Sequence, residues 1–190
     1  MLVSPAAFAW GTPVPPAVEA GKDLAAQVTL PAKDGAKLTE TTPGWRHGED
    51  IAFRYTQYQG NEFPGLAWSA GPDGARSHAI ITQDTDFVAR GAPILHGSVV
   101  NIPSTVTKLP AGMHPDAIPA GSIYGPNYQG AGKPYRTPPG PKHRYHMQVF
   151  ALDTMLPTDF APKSYAELHD PLKGHVLASG SVMGFGQQKK

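Results

Sequence analysis

A chain of 190 residues is long enough for one domain with a substantial core. A charged fraction of 16% and a net charge of +1 argue against a disordered tail, a coiled coil or a nucleic-acid surface. The absence of cysteine removes disulfides, thiolate metal sites and a cysteine nucleophile, and no apolar run reaches the length of about 20 residues that a membrane-spanning helix needs.

Glycine and proline number 21 each, well above an ordinary combined share of about 12%. Many turns and long loops follow, as in a mainly β domain. Residues 1–37 read as an N-terminal extension, either partly ordered or the remnant of a secretion signal. Met1 to Trp10 is apolar and Ala7-Phe8-Ala9 looks like a cleavage site, but the first basic residue is Lys22, so the usual basic start is missing. The compartment, cytoplasm or periplasm, is therefore left open. Val28-Thr29-Leu30 is expected to form a short strand in this arm.

The patterned domain runs from residue 38 to 190. Ile51 to Thr56 alternates apolar and polar residues and predicts a strand, as does Leu66-Ala67-Trp68. Ser69 to Gly74 is a turn cluster, and Ser77 to Thr82 predicts a buried strand running into Asp84-Thr85-Asp86. Residues 87–95, with Gly91 and Pro93, read as a loop. His96 to Ile102 is a strand stopped by Pro103. Residues 103–142 hold nine prolines and six glycines and predict a long functional loop. His143 to Leu152 is the strongest strand. Leu156 to Leu172 is the one good helical segment, kept short by Pro162 and Pro171. Val176 to Met183 closes the chain as a strand, or as a small helix leading into one.

Four features carry chemistry. Asp84 and Asp86 lie two apart at a strand end, so both carboxylates can point to one side; turn capping explains them equally well. His96 opens a strand directly after a Gly/Pro loop. His143 and Tyr145 share one face of their strand, which leaves Arg144 to an outward salt bridge. Pro138-Pro139-Gly140 precedes them, and its backbone could form an anion-binding nest. Each signal alone is weak; their order makes the case.

In that order they resemble the phosphatidylethanolamine-binding / Raf kinase inhibitor family, most closely its bacterial branch. The first block reads Asp84-Thr85-Asp86 and then His96-Gly97-Ser98-Val99-Val100-Asn101-Ile102-Pro103. The second reads Pro138-Pro139-Gly140-Pro141-Lys142-His143-Arg144-Tyr145, followed by Val149-Phe150-Ala151-Leu152-Asp153. Arg54-Tyr55-Thr56, Pro64 to Ser69 and Gly74 to Ser77 agree with the family's early strands. Thr85 stands where the family has proline, and Leu95 and Gly97 stand where aromatic residues commonly flank the histidine. These changes point to a wider, less apolar site mouth.

The resemblance implies a mainly β fold, with two antiparallel sheets in a Greek-key β-sandwich-like domain and a few short peripheral helices. It implies a non-catalytic binding protein without cofactor or metal, holding a phospholipid head group or other small anionic or phosphorylated ligand at Asp84, Asp86, His96, Pro138, His143 and Tyr145. Pro139 and Gly140 join that set through the nest. The nearby aspartates are expected to raise His96 and His143 toward the cationic form, while an ammonium could meet Asp84 or Asp86. The competing reading is an inhibitor of a protein kinase or protease acting through its loops; a homodimer is left open. A hydrolase-like enzyme finds no nucleophile elbow, P-loop or dinucleotide fingerprint here. His143 and His146, three apart on a strand, face opposite ways and do not make a metal pair.

Overall fold

The computed structural model describes residues 25–27, 29–56, 58–60, 62–89, 92–114, 117–124, 142–162 and 165–186. The signal-like stretch Met1 to Trp10, Val28 and the Pro138-Pro139-Gly140 turn lie outside the described residues.

Nine strands occur among these residues, in chain order β1 (Glu40–Thr41), β2 (Glu49–Asp50), β3 (Leu66–Trp68), β4 (Ser77–Ala89), β5 (Ala92–Pro103), β6 (Lys108–Leu109), β7 (Ile123–Tyr124), β8 (His143–Leu152) and β9 (Val176–Gly186). The one α-helix among the described residues, Tyr165–His169, is short and precedes a 3-10 turn at Asp170–Leu172. The strands form a six-stranded sheet in the order β2-β9-β8-β4-β5-β7 and a three-stranded sheet β1-β3-β6. This is the expected mainly β, two-sheet fold. All the strand pairs are antiparallel except β2 with β9, an edge pair that runs parallel. No helix among the described residues is long and apolar enough to cross a membrane.

The large sheet is buried on both faces. Its front face meets the small sheet, with Ile80, Val99, Ile102, Met147 and Val149 packed on Leu66, Trp68 and Leu109. Its rear face packs Ala79, Ile81, Phe150 and Leu152 against Leu168 and Leu172 of the helix and turn. A strand covered on both sides loses its polar alternation, so the Val149-Phe150-Ala151-Leu152 half of β8 is a continuous apolar run, and the sequence reading matches the strand's bounds. Each of its large side chains contributes roughly 1.5–3 kcal/mol by burial. The front layer approaches closely because β9 carries glycine where it must: a Cβ at Gly184 would stand 2.6 Å from Trp45 Nε1 and 2.7 Å from Ile51 Cγ1.

The rear face also holds a polar clasp. Gln83 Oε1 accepts from the Gln148 amide at 2.7 Å and from the Ala25 backbone N–H at 3.0 Å, and Gln148 Oε1 accepts from the Ala26 N–H at 2.9 Å. Ala25, Ala26 and Leu30 are thereby packed into the rear core.

Three local expectations fail. Ile51 to Thr56 is no strand: Phe53–Tyr55 is a 3-10 turn. Its buried apolar residues, Ile51 and Tyr55, are four apart, a spacing that suits a turn as well as a strand. Residues 87–89 and 92–95 are not loop; β4 and β5 continue as a ladder in which Val88 pairs with Pro93 and Ala89 with Ala92, so the two strands reach past their neighbour β8. Thr29 and Leu30 sit in a turn and a bend rather than a strand, Leu30 serving as a rear-core plug.

Asn101 explains its own motif. It is the one non-glycine residue at positive φ among those described, at +57°, in a stretch where β5 holds one residue more than β4. Asparagine tolerates that conformation. Its side-chain amide donates to Leu156 O at 2.9 Å and accepts from Leu156 N at 2.8 Å, so it acts as a strand partner for the segment after β8.

Candidate functional site

The β4–β8 ladder sets Asp84 directly opposite Tyr145. By the two-residue period of a strand, His143 lies on the same face as Tyr145. From the other side β5 brings His96: Thr82 faces Gly97 and Gln83 faces Leu95, so His96 is the extra residue of a bulge. Bulges re-aim side chains, and this one sets the His96 ring edge-on to Tyr145, with centroids 5.1 Å apart and planes 63° apart.

Asp84 is the hub. Its Oδ2 lies 2.7 Å from His143 Nδ1, its Oδ1 accepts the Asp86 backbone N–H at 2.9 Å, and the Tyr145 hydroxyl donates to the same carboxylate. All of this is buried: Asp84 is 2% exposed, His143 7% and Tyr145 0%. A buried carboxylate with three donors is satisfied, so Asp84 orients its neighbours. The bond at Nδ1 directs His143 Nε2 away from Asp84. Burial, and after it the Asp84 charge, pushes the Tyr145 hydroxyl well above the ordinary phenol range, so it remains a donor.

His96 departs from expectation. It was expected to be raised toward the cation; burial, reinforced by His143, lowers it to about 4. The desolvation cost of a charged ring outweighs the pull of the aspartates. His96 is a neutral imidazole, and its Nε2 is buried without a hydrogen-bond partner.

Asp86 does not join the hub. Its Oδ2 accepts the Arg144 backbone N–H and its Oδ1 meets the Arg144 guanidinium, both at 2.6 Å. The structure thus brings together Asp84, His96, His143 and Tyr145, and gives Asp86 to Arg144, the outward salt bridge foreseen for that arginine. Lys142 pins the start of β8 to the sheet edge through Asp50 Oδ1 and Oδ2, at 2.5 and 2.7 Å. Among the described residues no group of three or more His, Cys, Asp or Glu side chains is placed to hold a metal. His146 turns instead to the Ser181 hydroxyl, 3.1 Å from Nδ1.

One neighbour escaped the sequence reading. Tyr58 contributes in a minor way to the raised Tyr145 hydroxyl, after burial and Asp84. It comes from the segment after the Phe53–Tyr55 turn, and the only signal for it was an aromatic residue set between Thr56 and Gly60.

The profile of the family described as phosphatidylethanolamine-binding protein matches residues 41–187, more than half the chain. The chain belongs to that family. A family relative from Methanothermobacter thermautotrophicus, UPF0098 protein, is 36% identical over 138 residues, covering 70% of this chain and 88% of its own. The crystal structure of Escherichia coli YbcL, described as a new member of the mammalian family, superposes with a TM-score of 0.71 at 31% identity, covering 81% of this chain and 100% of that one. A family homologue from Chlamydia trachomatis gives a TM-score of 0.70 at 25% identity, covering 80% of this chain and 99% of its own. The family match begins after Ala25, Ala26 and Leu30, although these residues pack in the rear core.

Proposed function

We propose that this member of the phosphatidylethanolamine-binding protein family is a non-catalytic binding protein that holds a small anionic or phosphorylated group at His96, His143 and Tyr145, with Asp84 as their positioning residue. The observation that carries the reading is His96 Nε2, a buried ring nitrogen with no partner beside a hydrogen-bonded His143 and Tyr145. Leaving a buried polar group unmatched costs about 1–3 kcal/mol, which a ligand oxygen would recover by accepting from the Nε2–H tautomer. The Tyr145 and His143 rings are held in place beforehand by Asp84, which lowers the ordering cost of binding. Both carboxylates already have donors, Asp84 three and Asp86 two, so the cluster favours an anion over an ammonium.

Acid–base work needs a group whose protonation is poised near the working pH, whereas His96 is held neutral and the Tyr145 phenol is held protonated. Isothermal titration of the full chain with inorganic phosphate and with phosphoethanolamine tests the reading. Heat from either ligand in wild type, reduced at least tenfold in affinity by His96→Ala, is the expected result. A folded wild type giving no heat with either ligand would overturn it.

A further inference from the structure

The large sheet carries a second group of polar side chains, at the same end as the hub but on its rear face. Arg144 and His146 flank Tyr145 on β8 and point to the opposite side, since successive strand residues alternate faces. Gln83 stands opposite His146, and Asp84 opposite Tyr145. The next step of this antiparallel ladder sets Thr85 beside Arg144, on the rear side with Gln83. The Asp86 carboxylate, 2.6 Å from the Arg144 backbone N–H, agrees with that register. Neighbours on one face lie about 5 Å apart across strands and about 7 Å apart along a strand. Thr85, Arg144 and His146 therefore form one patch.

Each of the three ends in a polar atom that is buried without a hydrogen-bond partner: Thr85 Oγ1, Arg144 Nε and His146 Nε2. The residues are graded in depth. His146 is 1% exposed and makes the floor, while Thr85 and Arg144 are half-buried and make a rim that meets solvent. Their other polar atoms are committed. Asp86 Oδ1 holds Arg144 Nη1 at 2.6 Å, and Ser181 Oγ lies 3.1 Å from His146 Nδ1. With Ser181 donating to Nδ1, the ring proton sits on Nε2. The edge of the guanidinium that Asp86 does not use, Nε with Nη2, presents two parallel N–H groups, the fork that matches the two oxygens of a carboxylate. Three unanswered donors thus lie side by side on the rear face.

The geometry points to a carboxylate-binding site on the rear face, in which Arg144 grips the two oxygens of a small carboxylic acid, His146 donates from the floor through Nε2, and Thr85 closes the rim with its hydroxyl. The site is separate from the front cluster and does not depend on the anion reading given for that cluster. A carboxylate suits it better than a phosphate. The fork is planar, and a dianion would bring two charges to a patch whose cation, Arg144, is already paired with Asp86.

The test is titration of the full chain with sodium acetate at fixed ionic strength, followed by NMR, with sodium chloride as the control. The Arg144 Nε–H resonance, assigned by its loss in Arg144→Lys, should move along a saturating curve with acetate and stay still with chloride. Acetate affinity, read from the backbone amides of residues 85 and 146, should fall about tenfold or more in Arg144→Lys, which keeps the charge and loses the fork. It should fall about two- to tenfold in Thr85→Val, which carries the test if Arg144→Lys does not fold. His96→Ala, on the front face, should leave the acetate curve at Arg144 unchanged. A wild-type Arg144 resonance that acetate does not move, or an affinity that Thr85→Val leaves unchanged, overturns the site. A response lost in His96→Ala and kept in Arg144→Lys assigns the carboxylate to the front cluster and overturns it as well.

Discussion

Acidification should unfold this protein through its buried histidines, and the size of the effect can be worked out. Burial lowers His96 to about 4, His146 to about 3 and His169 to about 4, and their exposures are only 9%, 1% and 2%. In the unfolded chain each returns to about 6.5. Below that pH the unfolded chain binds more protons than the native one, so stability is complete above about pH 6.5 and is lost as pH falls toward 4. At pH 5 each group has removed about 2 kcal/mol relative to pH 7.5, or about 6 kcal/mol for the three. His78, also lowered by burial, adds in the same sense. Glu40 acts oppositely: burial raises its carboxyl, so it binds its proton more tightly in the native state and offsets part of the loss. Set against a total stability of about 5–15 kcal/mol, the remainder is decisive. Urea denaturation followed by circular dichroism at half-unit steps from pH 7.5 to 5 measures it. The unfolding free energy should fall by about 2–4 kcal/mol per pH unit below pH 6. His146→Gln should reduce that slope by about one proton, roughly 1.4 kcal/mol per unit, whatever it does to the absolute value. A wild-type slope below one proton, or one unchanged by His146→Gln, refutes the reasoning.

Three further outcomes are expected. Asn101→Ala should cost about 2–4 kcal/mol, from two lost bonds to Leu156 and a Cβ residue at φ +57°; Asn101→Gly, which relieves only the backbone, should recover about 1 kcal/mol of that, and a thermal melt showing the two variants equal would remove the strain argument. Asp84→Asn turns an amide donor toward one of three existing donors; phosphate affinity should drop about ten- to a hundredfold with destabilisation of about 1–3 kcal/mol, and full retention of binding by calorimetry would contradict its role as hub. Glu40 is half-buried as a residue, but its Oε1 accepts the Val149 N–H at 2.7 Å and its Oε2 is buried without a partner. Its raised carboxyl makes the native state lose ground as pH climbs, so the stability of Glu40→Gln relative to wild type should grow between pH 5 and 8; a constant difference in denaturation midpoints speaks against a buried acid.

The fold was legible wherever period and burial agreed. His143 to Leu152 matched its strand because both faces are covered and every residue but Arg144 could be buried. The β4–β5 ladder beyond Asp86 was missed because Gly91 and Pro93 signal a loop locally, while the pairing of Val88 with Pro93 and of Ala89 with Ala92 is tertiary. The convergence of Asp84, His143 and Tyr145 followed from strand alternation once two segments 59 residues apart were taken as neighbours. Strand spacing could not show that Asp86 would turn to Arg144, or that His96 would lie on a bulge. Its protonation was misjudged because a sequence shows nearby charges but not desolvation, the larger effect here. Tyr58 has no periodicity relation to the cluster; a turn delivers it, and turns carry little positional information in one sequence.

The glutamine clasp has a consequence for the whole chain. Gln83 and Asp84 are successive residues on opposite faces of β4, so the fastening at the back and the hub at the front share one stretch of backbone. Deleting the segment at 25–30 would strip the Gln148 amide oxygen of its Ala26 donor, leave the Gln83 oxygen with Gln148 alone, and remove Ala25, Ala26 and Leu30 from the rear core that holds Ile81 and Phe150. The strand that aims Asp84 would then have lost part of its backing plate, and a shortened chain beginning at residue 38 would carry Asp84, His96, His143 and Tyr145 on a sheet whose rear is covered only in part, by Leu168 and Leu172.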